Sequence, residues 1–186
     1  MERCGWAEKH ELETVYHDNQ WGVPEHNDQQ LFKMLMLEAN QAGLSWLTIL
    51  KKEAQFDEAY DQWDYRIIAT YDDKKIEELL NNPGIIRNSL KIKAAINNAQ
   101  KFMAIQEEFG SFDTYIWSFV NHQPIINHWQ ELSEVPPSTE LSDKISKDLK
   151  KRGFKFLGST TIYAYMQSIG LVNDHIESCF RKKLCQ

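Results

Sequence analysis

What the chain lacks narrows it first. No uninterrupted apolar run approaches the roughly 18 residues that a membrane span needs, and the opening "MERCGWAEKHELE" is polar with no apolar centre. Neither export nor insertion is indicated, so the expected address is the cytoplasm and a membrane is not an expected partner. Cysteine is scarce: Cys4, Cys179 and Cys185 are the only three among 186 residues, too few and too terminal for a disulfide framework. In a reducing compartment such thiols more often serve metals or nothing. No Pro/Gly/Ser-rich stretch divides the chain and no solenoid-length repeat is visible, so one domain spanning residues 1–186 is expected. Also missing are a Gly-rich phosphate loop, a G-x-S-x-G elbow and the H-x-E with P-C-x-x-C of the zinc deaminases, which removes the familiar nucleotide and hydrolase chemistries.

What is present is ordinary for a globular chain: 42% hydrophobic and 26% charged residues, the signs interspersed along the sequence. A formal charge of −6 argues against a nonspecific nucleic-acid coat while leaving room for a local basic face. Helical periodicity dominates. Leu31, Phe32, Leu35 and Ala39 recur at three- and four-residue spacing behind Asp28, which is placed to cap them, and Glu38 falls in the last turn of that helix. Gly43 ends it, and Ser45 is placed to cap a following helix through "WLTILKKEAQF".

"DDKKIEELLNN" opens with acids suited to the positive end of a helix dipole and stops at Pro83-Gly84. A short hairpin, "PGIIRNS", separates it from "LKIKAAINNAQKFMAIQEEFG", whose apolar residues lie mostly on one stripe. Ser111 restarts a short helix. Residues 123–141 hold three of the five prolines and little period and read as a long ordered loop. Ser142 and Gly153, then Ser159 and Gly170, bracket two further helices. With no alternating strand pattern anywhere, an all-α fold is expected.

Three constellations carry candidate chemistry. Cys4 and His17 are separated by twelve residues near the start, while "HIESC" puts His175 and Cys179 four apart, on one face if that segment is helical. Together they form a Cys2His2 set of the kind that holds structural zinc, although C-x12-H is no tight finger signature and terminal thiols beside a capping histidine are the competing account. Trp6, Tyr16, Trp21 and Trp46 crowd around the same region. A bulky core is the commoner meaning of such residues, and a cage for a flat or cationic ligand beside a carboxylate is the sharper one. The Pro83-Gly84 hairpin suggests backbone N–H groups that grip a phosphate, with Arg87, Lys91 and Lys93 downstream and a second basic run at Lys147, Lys150, Lys151, Arg152 and Lys155. A solvated helix face is the commoner meaning of such a run.

Read together, "MERCGW", "YHDNQWGVP", "LEANQAGLSWLTILKK", "GIIRNSLKIKAAINNA", "WSFVNHQP", "KKRGFKFLG" and "MQSIGLVNDHIESC" closely resemble the 3-methyladenine DNA glycosylase I family, in order and over nearly the whole chain. The resemblance implies an all-α helix-hairpin-helix glycosylase that flips a damaged nucleotide out of double-stranded alkylated DNA and hydrolyses its N-glycosidic bond. It implies one structural zinc per chain on Cys4, His17, His175 and Cys179, joining the N- and C-terminal segments. It implies a base pocket of Glu38, Trp6, Tyr16, Trp21 and Trp46, with Glu38 the catalytic carboxylate, and DNA contacts at Gly43, Leu44, Gly84, Ile86 and Arg87, Leu44 filling the gap behind the flipped base. No motif places a lysine for Schiff-base chemistry, so a monofunctional enzyme without strand cleavage is expected, and a monomer is the expected state. One departure stands out: where many relatives carry a pocket tyrosine this chain has Glu13, which is left outside the expected site, and Cys185 receives no role. Two rivals are a noncatalytic DNA-binding module and a zinc protein whose cage binds a small cation.

Overall fold

A computed structural model describes residues 2–185. Nine α-helices dominate the described residues: α1 Glu11–Asn19, α2 Asp28–Gln41, α3 Trp46–Ala59, α4 Tyr65–Ile68, α5 Asp73–Asn81, α6 Ser89–Phe109, α7 Phe112–Ser118, α8 Glu140–Lys151 and α9 Ser159–Ser168. None is long and apolar enough to cross a membrane. The mostly helical architecture matches the sequence reading, with one correction. Ile125–Ile126 (β1) pairs in parallel with Val172–Asn173 (β2), and two-residue strands are too short to show any alternation in the sequence.

The central helix α6 buries Ile92, Ala95, Ala99, Phe102 and Ile105 against α2 and the helices around it. Phe102 lies between Phe32, edge-on at 5.1 Å, and Phe112, stacked at 4.2 Å. Each such ring contributes roughly 1.5–3 kcal/mol by leaving water, with aromatic geometry adding to that. Between α3 and α4, Tyr60 and Trp63 stack at 4.7 Å and the Trp63 indole donates to Asp57, which fastens the corner.

Several caps differ instructively from expectation. Asn27, not Asp28, caps α2 by accepting from the Gln29 and Gln30 N–H groups. Asp28 reaches across the fold and accepts from the Phe112 and Asp113 N–H groups and from Gln106, so it caps α7. Short-range spacing cannot reveal a cap 84 residues away. Ser111 supplies the local cap of α7. Helix α8 starts earlier than expected: Thr139 is its cap and Ser142 the reciprocal partner of a capping box. Helix α9 begins at Ser159 itself, behind Gly158. The segment from His175 to Cys179 is a turn closed by Cys179 N–H to Ile176 O, not a helix.

Candidate functional site

Helix α2 carries its most consequential residue, Glu38, in its last turn. Met36, Leu37, Ala39 and Asn40 around Glu38 are all buried, so the helix carries the carboxyl into the interior at 5% exposure. Burial pushes it up to about 8, because an ionised carboxylate there would lose its hydration without a cation or donor in return. Glu38 Oε2 has no hydrogen-bond partner among the described residues, and neither do the Tyr16 hydroxyl and the Trp46 Nε1. Three orphaned polar atoms in one place are unusual in a native interior, where such groups are nearly always satisfied.

They border one cavity of about 530 Å³, walled by Trp6, Tyr16, Trp21 and Trp46. The ring centroids of Trp6 and Trp21 are 5.2 Å apart and those of Tyr16 and Trp46 5.2 Å, so the rings are mutually braced. The structure thus brings together the five residues singled out for the pocket. It also adds some that the sequence reading missed. Glu13, left outside the expected site, lines the cavity from α1, one turn before Tyr16. Gln41, Tyr163, Gln167 and Asp174 line it too, as do Pro136 and Pro137 of the long loop. Asp174 is buried and accepts four hydrogen bonds, from Asn127, Trp129, Tyr163 and Gln167, which ties that loop and α9 into one wall. A lone Asp in "VNDHIE" carries no local sign of this role.

Behind Trp21, the Cys4, His17, His175 and Cys179 side chains converge, all buried, with their ligand atoms within 4.8 Å of one another. Cys179 Sγ lies 3.4 Å from His17 Nε2 and 3.5 Å from His175 Nδ1, and Cys4 Sγ lies 3.7 Å from the same Nδ1. Tetrahedral bonds of about 2.0–2.3 Å put neighbouring donor atoms roughly 3.3–3.8 Å apart, so the cluster has the dimensions of a metal site. Outer partners aim the rings: His17 Nδ1 meets Asp18 at 2.8 Å and His175 Nε2 donates to the Trp21 carbonyl at 3.2 Å. The Cys4 thiol, with both imidazoles, pulls the Cys179 thiol well below its usual range, toward the thiolate that metals take. Gly22 is a further requirement missed by the sequence reading: its φ is +79°, and a Cβ there would sit 2.9 Å from His175 Nε2. Cys185 is buried outside this ligand set.

Between α2 and α3, Gly43 adopts a φ of +79° and presents Leu44 at 39% exposure. The α5–α6 turn holds Gly84, Ile86 and Arg87. A Cβ on Gly84 would meet Gln55 at 3.0 Å, so the turn packs tightly on α3, and the Gly84 N–H is turned onto the Asn82 side chain at 2.8 Å. Ile86 is half-buried, whereas Arg87 and Lys93 are exposed. Lys91 belongs elsewhere. It is buried and donates to the Asn40 and Ala42 carbonyls at 2.7 and 2.8 Å, pinning the C-terminal end of α2. Arg152 is committed to Asp148 and Glu108, leaving Lys147, Lys150, Lys151 and Lys155 exposed in that run.

A helical fold that sets an unpaired buried acid in an aromatic-walled cavity has the shape and chemistry of a small-molecule pocket. Its particular family is settled by comparison: the chain belongs to the methyladenine glycosylase family, whose model matches residues 6–182. It is 48% identical to DNA-3-methyladenine glycosylase 1 of Escherichia coli over 96% of both chains. It is 46% identical to DNA-3-methyladenine glycosylase of Haemophilus influenzae, over 95% of this chain and 96% of that one. The solved 3-methyladenine DNA glycosylase I of Staphylococcus aureus superposes with a TM-score of 0.94 at 36% identity, covering 98% of this chain and 97% of that one.

Proposed function

We propose that this chain excises 3-methyladenine from alkylated duplex DNA by hydrolysing the N-glycosidic bond, as a single-domain, monofunctional base excision repair enzyme working as a cytoplasmic monomer. The observation that carries the reading is the unpaired Glu38 carboxyl inside an aromatic cavity, in a chain whose relatives bear that activity in their names.

Adenine alkylated at N3 is a cation in DNA, so its glycosidic bond is already weakened and the departing base leaves neutral. A strong general acid is therefore unnecessary. What the protein supplies is selection and the holding of an unstacked nucleotide, whose extrusion costs a few kcal/mol. The electron-rich faces of Trp6, Trp21 and Trp46 each attract a cation by roughly 0.5–2 kcal/mol. Glu38 is mostly protonated in the empty pocket at neutral pH, and a bound cation draws it to the carboxylate, which then accepts from the exocyclic amine of adenine. Guanine presents an oxygen at that edge, so the same group disfavours it.

Leu44, on its Gly43 turn, is read as the plug behind the flipped nucleotide. The α5–α6 pair is read as a helix-hairpin-helix, with Gly84, Ile86 and Arg87 facing the DNA backbone. The Gly84 N–H is spoken for by Asn82, so in this reading the hairpin contributes shape and the Arg87 charge. The metal is read as zinc, since two thiolates and two imidazoles in a closed set match its preference. Held by Cys4, His17, His175 and Cys179, it would supply a structural cross-link between the chain ends and no chemistry at the base. Incubating the protein with methylated DNA and chromatographing the released bases tests the activity: free 3-methyladenine is expected, and its absence would overturn the reading.

A further inference from the structure

Three acids line the base cavity, and no lysine, arginine or histidine does. Their circumstances differ. Asp174 already accepts four hydrogen bonds, so its oxygens are committed to the wall. Glu38 is enclosed, with one oxygen left unpartnered. Glu13 is only half-buried, so water reaches its side chain, and it enters none of the ion pairs among the described residues. Burial alone holds Glu38 above the usual carboxylate range, with no part played by a second acid, so the two glutamates stand at separate points of the cavity.

Helix α1 explains how Glu13 comes to be there. It lies three residues before Tyr16, a spacing that puts both side chains on one helix face, and both line the cavity. The ordinary account of Glu13 is helix-end electrostatics, since an acid in the first turn suits the positive end of the dipole. Glu11 in the same turn meets that need from an exposed position, and it does not line the cavity. An unpaired carboxylate among three tryptophan rings disfavours an anion and, with no cation in the wall to neutralise it, favours a cationic ligand.

We propose that Glu13 is a specificity-determining residue of this cavity, a second carboxylate that favours a purine made cationic by alkylation over the same purine once neutral. The inference rests on the reading of this chain as a 3-methyladenine glycosylase. Hydrolysis breaks the bond from the sugar C1′ to the base nitrogen. The bonding electrons stay with the base, the oxygen of water joins C1′ as a hydroxyl, and one proton goes to solvent. The base is a cation before that step and neutral after it. Attraction to Glu13 therefore holds the damaged nucleotide and lapses for the freed product. Glu13 reads charge and Glu38 reads the amine edge, so selection is divided between two acids.

The test measures binding of two probes, 3-methyladenine and the fixed cation 3,9-dimethyladeninium, to wild type, Glu13→Gln and Glu13→Asp by titration calorimetry at pH 8, where the free base is uncharged. In Glu13→Gln the cation is expected to lose about fivefold more affinity than the neutral base, the effect of one partly hydrated unit charge at roughly 8 Å. Glu13→Asp keeps the charge and should keep the preference for the cation. Equal losses for both probes in Glu13→Gln, as a merely structural residue would give, overturn the proposal, and so does a preference within twofold of wild type. Should Glu13→Gln not fold, salt carries the test on wild type. Raising it from about 20 mM to about 500 mM should shrink the preference for the cation at least twofold, because screening reaches a carboxylate open to water, and an unchanged preference would overturn the proposal. A wild-type protein that releases no 3-methyladenine from methylated DNA would instead overturn the glycosylase reading, so the two failures are distinguishable.

Discussion

Replacing Glu38 by glutamine keeps the size of the side chain and removes its capacity for charge. A carboxylate about 4 Å from a cationic base attracts it by roughly 4 kcal/mol at an effective dielectric constant near 20. At pH 7 part of that is spent ionising a group whose pKa burial has raised to about 8, which costs about 1.4 kcal/mol. The net loss in Glu38→Gln is then about 2–3 kcal/mol, or roughly 30- to 150-fold in 3-methyladenine release under single-turnover conditions at pH 7. The difference should widen as pH rises toward 8, because the wild-type pocket ionises and the amide does not. Stability moves the other way. A carboxyl raised from 4.5 to about 8 on folding binds its proton more tightly in the folded state, so wild-type stability is fullest below pH 4.5 and falls as pH climbs to 8, by at most about 4–5 kcal/mol. Glu38→Gln should lack that decline. Single-turnover excision and melting curves between pH 5 and 8.5 measure both effects. A variant that releases 3-methyladenine at the wild-type rate across this range would refute the role given to Glu38.

Other outcomes follow from the same geometry. Cys179→Ser should hold less than one metal ion per chain by elemental analysis and melt more than about 10 °C below wild type, whereas a wild-type chain stripped of metal that melts unchanged would sink the cross-link. Asp28→Ala removes the acceptor of two hydrogen bonds at the start of α7 and one from Gln106 of α6 and should lower the melting temperature by about 5–10 °C in calorimetry, without changing the affinity for free 3-methyladenine. Leu44→Ala touches only an exposed side chain, so its melting temperature should stay within about 1–2 °C of wild type while excision from duplex DNA slows about tenfold. Equal excision rates would remove Leu44 from the DNA interface.

Helices α2, α3 and α5–α9 were legible because apolar residues recur at helical spacing and Gly43, Ser45, Ser111 and Gly153 punctuate them, whereas α1 and the four-residue α4 were not read. The pocket aromatics and the Cys2His2 set were legible as residue types, but only a resemblance running along the whole chain drew them to one place. What stayed hidden depends on contacts between distant segments. Asp28 reads as a cap of its own helix, yet serves α7 from across the fold. Lys91 reads as one of the basic residues that follow the hairpin, yet closes the carbonyl end of α2. Asp174 has no local signature, because its four donors come from two separate stretches of chain. Glu13 was set aside for its type, and its place three residues before Tyr16 on α1 puts it in the cavity wall all the same. The turn joining His175 and Cys179 shows that a four-residue spacing can converge without a helix.

The central claim is that this cavity takes a methylated adenine out of duplex DNA and releases it. The most direct measurement is chromatography of bases freed from DNA alkylated at known positions, with wild type and Glu38→Gln side by side. The account predicts 3-methyladenine as the main product, an abasic strand left uncut, and a loss of roughly 30- to 150-fold in the variant at pH 7. Release of no methylated base by the folded wild-type protein would contradict it.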